Sequence, residues 1–107
     1  MICDIIKPMK RDDCMENIHI AIDNIKRMIE KFGDEYSVIA MADHGGHDKS
    51  HGSTLPEDMT IPLFFYGKDF PQGEIIEDDI SLLEIAPTIA KILGLSYESE
   101  WEGNPVF

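Results

Sequence analysis

The stretch Ser37-Val38-Ile39-Ala40-Met41-Ala42-Asp43-His44-Gly45-Gly46 decides how this chain is read. Its first six residues form an apolar run too short for a helix and suited to a buried strand. The run stops abruptly at Asp43, so a carboxylate and an imidazole stand at the strand's carboxyl end. Open α/β sheets place their ligand sites at the carboxyl ends of strands. Side chains fixed at such a point are held rigidly, which metal sites require. Gly45 and Gly46 are expected to let the backbone turn sharply and to leave space beside an ion or substrate.

The loop continues through His47-Asp48-Lys49-Ser50-His51-Gly52 and gathers three of the four histidines in the chain, with two aspartates. Imidazole and carboxylate together suit zinc, manganese or iron, whereas calcium and magnesium favour oxygen ligands alone. Composition alone leaves two readings open, a metal site or a polar surface loop with incidental histidines.

Outward from the loop, Ile61-Pro62-Leu63-Phe64-Phe65-Tyr66 reads as a second buried strand ending at Gly67. Pro62 cannot donate to a ladder and must sit at the strand's beginning or on an unpaired side. Upstream, Ile18, Ile22, Ile25 and Ile29 fall at i, i+4, i+7 and i+11, one face of a helix running from about Asp13 to Phe32. Gly33 stands where a helix C-cap is expected. Downstream, Ser81 and Glu84 make a capping box that opens a helix through Leu93, ending at Gly94. Pro87 should kink this helix or mark where its main part starts. The order helix, strand, polar loop, strand, helix suggests part of a layered α/β sheet.

The totals narrow the function. A chain of 107 residues can build one modest core. Nine Lys plus Arg stand against 21 Asp plus Glu, a formal charge of -12. That balance argues against non-specific binding to nucleic acid or to an anionic membrane surface. It also means that an anionic substrate needs a local reversal of field, which bound divalent ions supply. Cys3 and Cys14 lie in no zinc-binding spacing and are too few for a disulfide framework, so reduced thiols and a cytoplasmic setting are expected, with one bridge between the two as the alternative. No apolar run reaches membrane-spanning length, and the opening residues lack a signal peptide's apolar region.

The run Met41-Ala42-Asp43-His44-Gly45-Gly46 resembles the D-H-G strand end of the alkaline phosphatase superfamily. That group includes type I phosphodiesterases, nucleotide pyrophosphatases, cofactor-independent phosphoglycerate mutases, phosphopentomutases and sulfatases. The resemblance continues through Ser50-His51-Gly52, the Ile61-Pro62-Leu63 strand, and Ser81-Leu82-Leu83-Glu84-Ile85-Ala86-Pro87-Thr88-Ile89. It ends at Gly94 and at Trp101-Glu102-Gly103-Asn104-Pro105. A D-H-G triplet alone is weak, but these pieces in this order are specific.

The resemblance implies the C-terminal portion of an alkaline-phosphatase-like layered α/β sheet with flanking helices. It implies a single partial domain over residues 1–107, with residues 1–12 unassigned. It also implies two divalent metal ions, zinc or manganese, clamping a phosphate or sulfate ester. Asp43 and His44 would bind the metal that activates the nucleophile, and His51 the second. His47 and Lys49 would be supporting residues, His47 orienting a ligand or facing solvent, with ligation by His47 itself the alternative, and Lys49 lying on the loop surface or offsetting the charge of a bound phosphate. The family's nucleophile, a Thr or Ser shortly after a metal-binding Asp, has no counterpart after Asp4 or Asp12. Its mid-chain Asp-x-x-x-His pair normally precedes the first helix, and no such pair precedes that helix here. The expectation is therefore a segment of a phosphodiesterase or nucleotide pyrophosphatase type enzyme, inactive alone and completed by another chain or an oligomer. A sulfatase-like hydrolase and a non-catalytic metal-binding or interaction module are the alternatives.

Overall fold

The computed structural model describes residues 11–48 and 50–107, residues 11–14 by their backbone. The expectations for Cys3, the Cys14 thiol and Lys49 lie outside what is described. Two compact units are present, one ending at Lys68 and the other spanning Asp69–Phe107.

The first unit begins with α1, Arg11–Phe32. Ile18, Ile25 and Ile29 are half-buried on the expected face, while Ile22 stays exposed. The helix ends against Tyr66. A Cβ on Gly33 would meet the Ile29 carbonyl oxygen at 2.5 Å and a Tyr66 ring carbon at 2.5 Å. Gly33 is absent from the residues of positive φ, so it is needed for close approach and not as a left-handed cap. Gly33 thus stands directly after the helix, where a cap is expected, without the left-handed conformation.

Strands β1 (Val38–Met41) and β2 (Leu63–Tyr66) pair antiparallel, with Val38 opposite Tyr66 and Met41 opposite Leu63. Pro62 falls just before β2, where its missing N–H costs no ladder bond. Because successive side chains alternate between faces, Val38, Ala40, Phe64 and Tyr66 share one face. Ile39, Met41, Leu63 and Phe65 share the other. Both faces are thus apolar, the pattern of a strand covered on two sides. Phe64, Tyr66 and Met41 nevertheless remain exposed.

The connection from β1 to β2 carries a single helical turn, α2 (Pro56–Met59), with Pro56 at its first position. Hydrophobic periodicity gives no hint of it, because four residues are too few to show a period.

In the second unit, the Ser81 hydroxyl accepts from Leu83 N–H, and the Glu84 carboxylate accepts from Ser81 N–H at 2.8 Å, completing the capping box. A 3-10 turn, Leu82–Glu84, then leads into α3, Ile85–Ile92. Pro87 is the third residue of α3, where no intrahelical donor is required. It therefore marks the start of the main helix. Gly94 takes φ 66°, and Leu95 N–H reaches Ala90 C=O at 2.9 Å while Gly94 N–H reaches Lys91 C=O at 3.1 Å. These two bonds are a Schellman ending.

Among the described residues the buried apolar side chains are Phe70, Pro87 and Ala90, all in this second unit. The Phe70 and Phe107 rings pack with centroids 5.6 Å apart. In the first unit the buried positions are Gly45, Gly46, Asp58 and Gly67. Its best-enclosed region is the polar loop. Among the described residues no helix is long and apolar enough to cross a membrane.

Candidate metal-binding loop

The loop leaves β1 at Met41 and presents Asp43 and His44 directly. Asp43 Oδ1 accepts the His44 N–H at 3.0 Å, which orients the carboxylate back along its own turn. His44 Nδ1 lies 2.6 Å from the Gly45 carbonyl oxygen. A carbonyl can only accept, so Nδ1 carries the proton and the neutral ring keeps its lone pair on Nε2. Asp43 Oδ2 lies 3.6 Å from that Nε2.

A carboxylate oxygen and an imidazole nitrogen thus stand near each other at a solvent-exposed turn. Metal–ligand bonds of about 2.0–2.1 Å in a tetrahedral shell separate two ligand atoms by roughly 3.3 Å. The Asp43–His44 pair is close to that separation. His51 brings a second ring, stacked on His44 with centroids 4.1 Å apart and planes 17° from parallel. In donor chemistry, then, the residues present fit a divalent ion. Asp43, at 89% side-chain exposure, and His44, at 38%, are reachable from solvent. Among the described residues no group of three His, Cys, Asp or Glu forms a set able to hold an ion. Asp43, His44 and His51 would by themselves offer only part of a coordination shell.

Behind these residues, the loop is closed by backbone bonds to α2. Gly45 N–H donates to Asp58 C=O at 3.0 Å and Gly46 N–H to Glu57 C=O at 2.8 Å. A Cβ on Gly45 would meet the Glu57 carbonyl oxygen at 2.0 Å and the Thr60 oxygen at 2.7 Å. Gly45 is not among the positive-φ residues. The expectation that Gly45 clears space beside an ion or substrate is therefore corrected. Gly45 and Gly46 are both buried, and the missing Cβ of Gly45 admits the backbone of α2. At the loop's far end, His47 and Ser50 exchange backbone bonds of 3.1 and 2.9 Å, and exposed Asp48 takes φ 49° in the turn they close. Asp tolerates the left-handed region better than most residues.

The strongest polar contact in the loop involves a residue that the sequence does not single out. His47 Nδ1 lies 2.6 Å from Asp58 Oδ1, and Asp58 Oδ2 accepts the Ser53 N–H at 2.7 Å. The hydrogen bond to His47 is the main reason the Asp58 carboxyl falls to about 2. The same bond raises His47 above its ordinary value, against the opposing effect of burial. Asp43 and His47 also have the spacing Asp-x-x-x-His, the one such pair in the chain. The partner His47 takes is nonetheless Asp58. Sequence offers a faint signal for this aspartate, in that Pro56 can start a helical turn and Asp58 follows within it.

No protein-family model matches the chain, and no solved structure matches it.

Proposed function

We propose that this chain supplies part of a divalent-metal site for phosphoric ester hydrolysis, of the phosphodiesterase or nucleotide pyrophosphatase type. The observation that supports this reading is the His44 imidazole. Its Nδ1 proton is committed to the Gly45 carbonyl, and its Nε2 stands 3.6 Å from the Asp43 carboxylate, beside the stacked ring of His51. Metal-ligating histidines characteristically donate their other ring N–H in this way.

Bound divalent ions would polarise the phosphoryl oxygen and favour the ionised form of an attacking hydroxyl. This chain's residues have simpler tasks. Asp43 offers an oxygen donor and His44 a nitrogen donor at nearly the separation one ion requires. His51 places a second imidazole within reach of a neighbouring position. With a formal charge of -12, the chain repels an anionic ester everywhere else, so affinity for one would depend on this loop being loaded. The nucleophile and the remaining ligands would come from a complementing polypeptide. The exposed apolar residues of the sheet, Met41, Phe64 and Tyr66, are the surface that such a polypeptide would cover.

The test is binding of inorganic phosphate, with sulfate as comparison, to the chain in the presence and absence of zinc or manganese. Zinc- or manganese-dependent binding that prefers phosphate and is lost in His44→Ala supports the proposal. A preference for sulfate would move the reading to sulfuric esters. Equal anion binding with and without metal would contradict it.

A further inference from the structure

Asp58 turns all three of its oxygens to the histidine loop. Its backbone oxygen takes the Gly45 N–H at 3.0 Å, Oδ2 takes the Ser53 N–H at 2.7 Å, and Oδ1 lies 2.6 Å from His47 Nδ1. An ionised carboxylate can only accept, so Nδ1 is the donor in the last of these. The Asp58 side chain is 1% exposed. A buried carboxylate is costly unless its oxygens are satisfied, and here the loop satisfies both.

The three holds bracket the two imidazoles that face each other. His44 lies between the end of β1 and the hold on Gly45, and His51 between the holds on His47 and Ser53. His51 is exposed, so packing does little to fix its ring, yet that ring stacks on His44 with centroids 4.1 Å apart. The chain itself must deliver His51 to that place. The paired backbone bonds of His47 and Ser50 shape the turn between the two histidines without tying it to the rest of the unit. Asp58 supplies the tie.

We propose that Asp58 is the positioning residue of the loop: by holding Gly45, His47 and Ser53 at once, it sets the spacing of His44 and His51. The inference rests on the reading of the loop as a divalent-metal site, and it gives neither Asp58 nor His47 a bond to the ion. A site whose ligands are loose by about 1 Å is a poor one. A residue that fixes their separation before the ion arrives removes an ordering cost from binding. Asp58 acts from α2, which also holds Gly46 through the Glu57 carbonyl at 2.8 Å.

The experiment is proton NMR of the chain, reading the nuclear Overhauser contact between the His44 and His51 rings without metal and then titrating zinc. In Asp58→Asn the amide keeps one oxygen and turns its NH₂ toward the other donor, so one side-chain hold is lost. The ring contact is expected to vanish and zinc affinity to fall, while the contact between Val38 and Tyr66 across β1 and β2 remains. His47→Ala is expected to do the same. His47→Asn, whose amide can donate to Asp58 from near the place of Nδ1, is expected to restore both. If Asp58→Asn loses the Val38–Tyr66 contact, the two His47 variants decide. A ring contact that survives in both Asp58→Asn and His47→Ala overturns the inference. So does a lost ring contact with unchanged zinc affinity, which spares the reading of the loop as a metal site. Zinc that fails to bind the unsubstituted chain, with the ring contact still dependent on Asp58, overturns that reading and supports the spacing role of Asp58.

Discussion

His47 Nδ1 and Asp58 Oδ1 stand 2.6 Å apart across eleven residues of sequence, joining the tip of the histidine loop to α2. The contact couples the loop's order to the protonation of both partners. Asp58 is depressed in the folded chain, so its contribution is full above the ordinary 3.8 and is lost as pH falls toward about 2. His47 is raised, so its contribution is full below 6.5 and is lost as pH rises through its higher folded value. The contact is strongest between about pH 4 and 6.5. NMR titration should give an Asp58 midpoint near 2 and a His47 midpoint above 6.5. Midpoints at or near 3.8 for Asp58 and at or below 6.5 for His47 would show that the contact does not persist in solution.

Gly45→Ala should loosen the loop without touching any donor. The added methyl meets backbone oxygens of Glu57 and Thr60, which cannot rotate away as a side chain would. A loss of about 1–3 kcal/mol is expected from such overpacking. Faster hydrogen exchange at Gly46 N–H, now bonded to Glu57, should accompany it. Gly52→Ala, which meets no atom within 4 Å but sits at φ +90°, tests backbone strain alone. Equal exchange at Gly46 in both variants would argue against the close approach of α2.

Much of the frame is visible in the sequence, and the reasons are local. The isoleucine spacing of α1, the apolar runs of β1 and β2, the Ser81–Glu84 box and the Gly94 ending each follow from neighbours in the chain. The features that stay hidden depend on contacts between distant residues. Gly45 resembles a turn glycine until Glu57 is brought against it, and Gly33 resembles a cap until Tyr66 is. His47 has an aspartate four residues before it in the chain, and the partner it takes is Asp58, eleven residues on. The antiparallel register of β1 and β2 is likewise unavailable from two short apolar runs that carry no alternation.

Thr88→Val should release the C-terminal residues from α3. The Thr88 hydroxyl donates to Glu84 C=O at 2.6 Å and accepts the Val106 N–H at 2.9 Å, and Thr88 is 1% exposed. Valine keeps the shape and leaves the Val106 donor without its acceptor, at about 1–3 kcal/mol. Exchange at the Val106 amide should rise well before that of α3. Unaltered exchange there would mean the tail is held by other contacts, such as Lys91 Nζ with the Phe107 carbonyl or Phe70 with the Phe107 ring.

Ser81→Ala removes one half of the capping box and leaves Glu84 in place. A loss of about 1 kcal/mol is expected, read as a lower midpoint in denaturant with an unchanged slope. A stability equal to the parent would mean that the 3-10 turn needs no cap.

The most direct test of the central claim is zinc and manganese binding to the purified chain by titration calorimetry, beside His44→Ala and His51→Ala. The account predicts binding by the parent chain that is abolished in His44→Ala and weakened in His51→Ala, with both variants folded. Binding that is absent in the parent, or that persists unchanged in both variants, would contradict it.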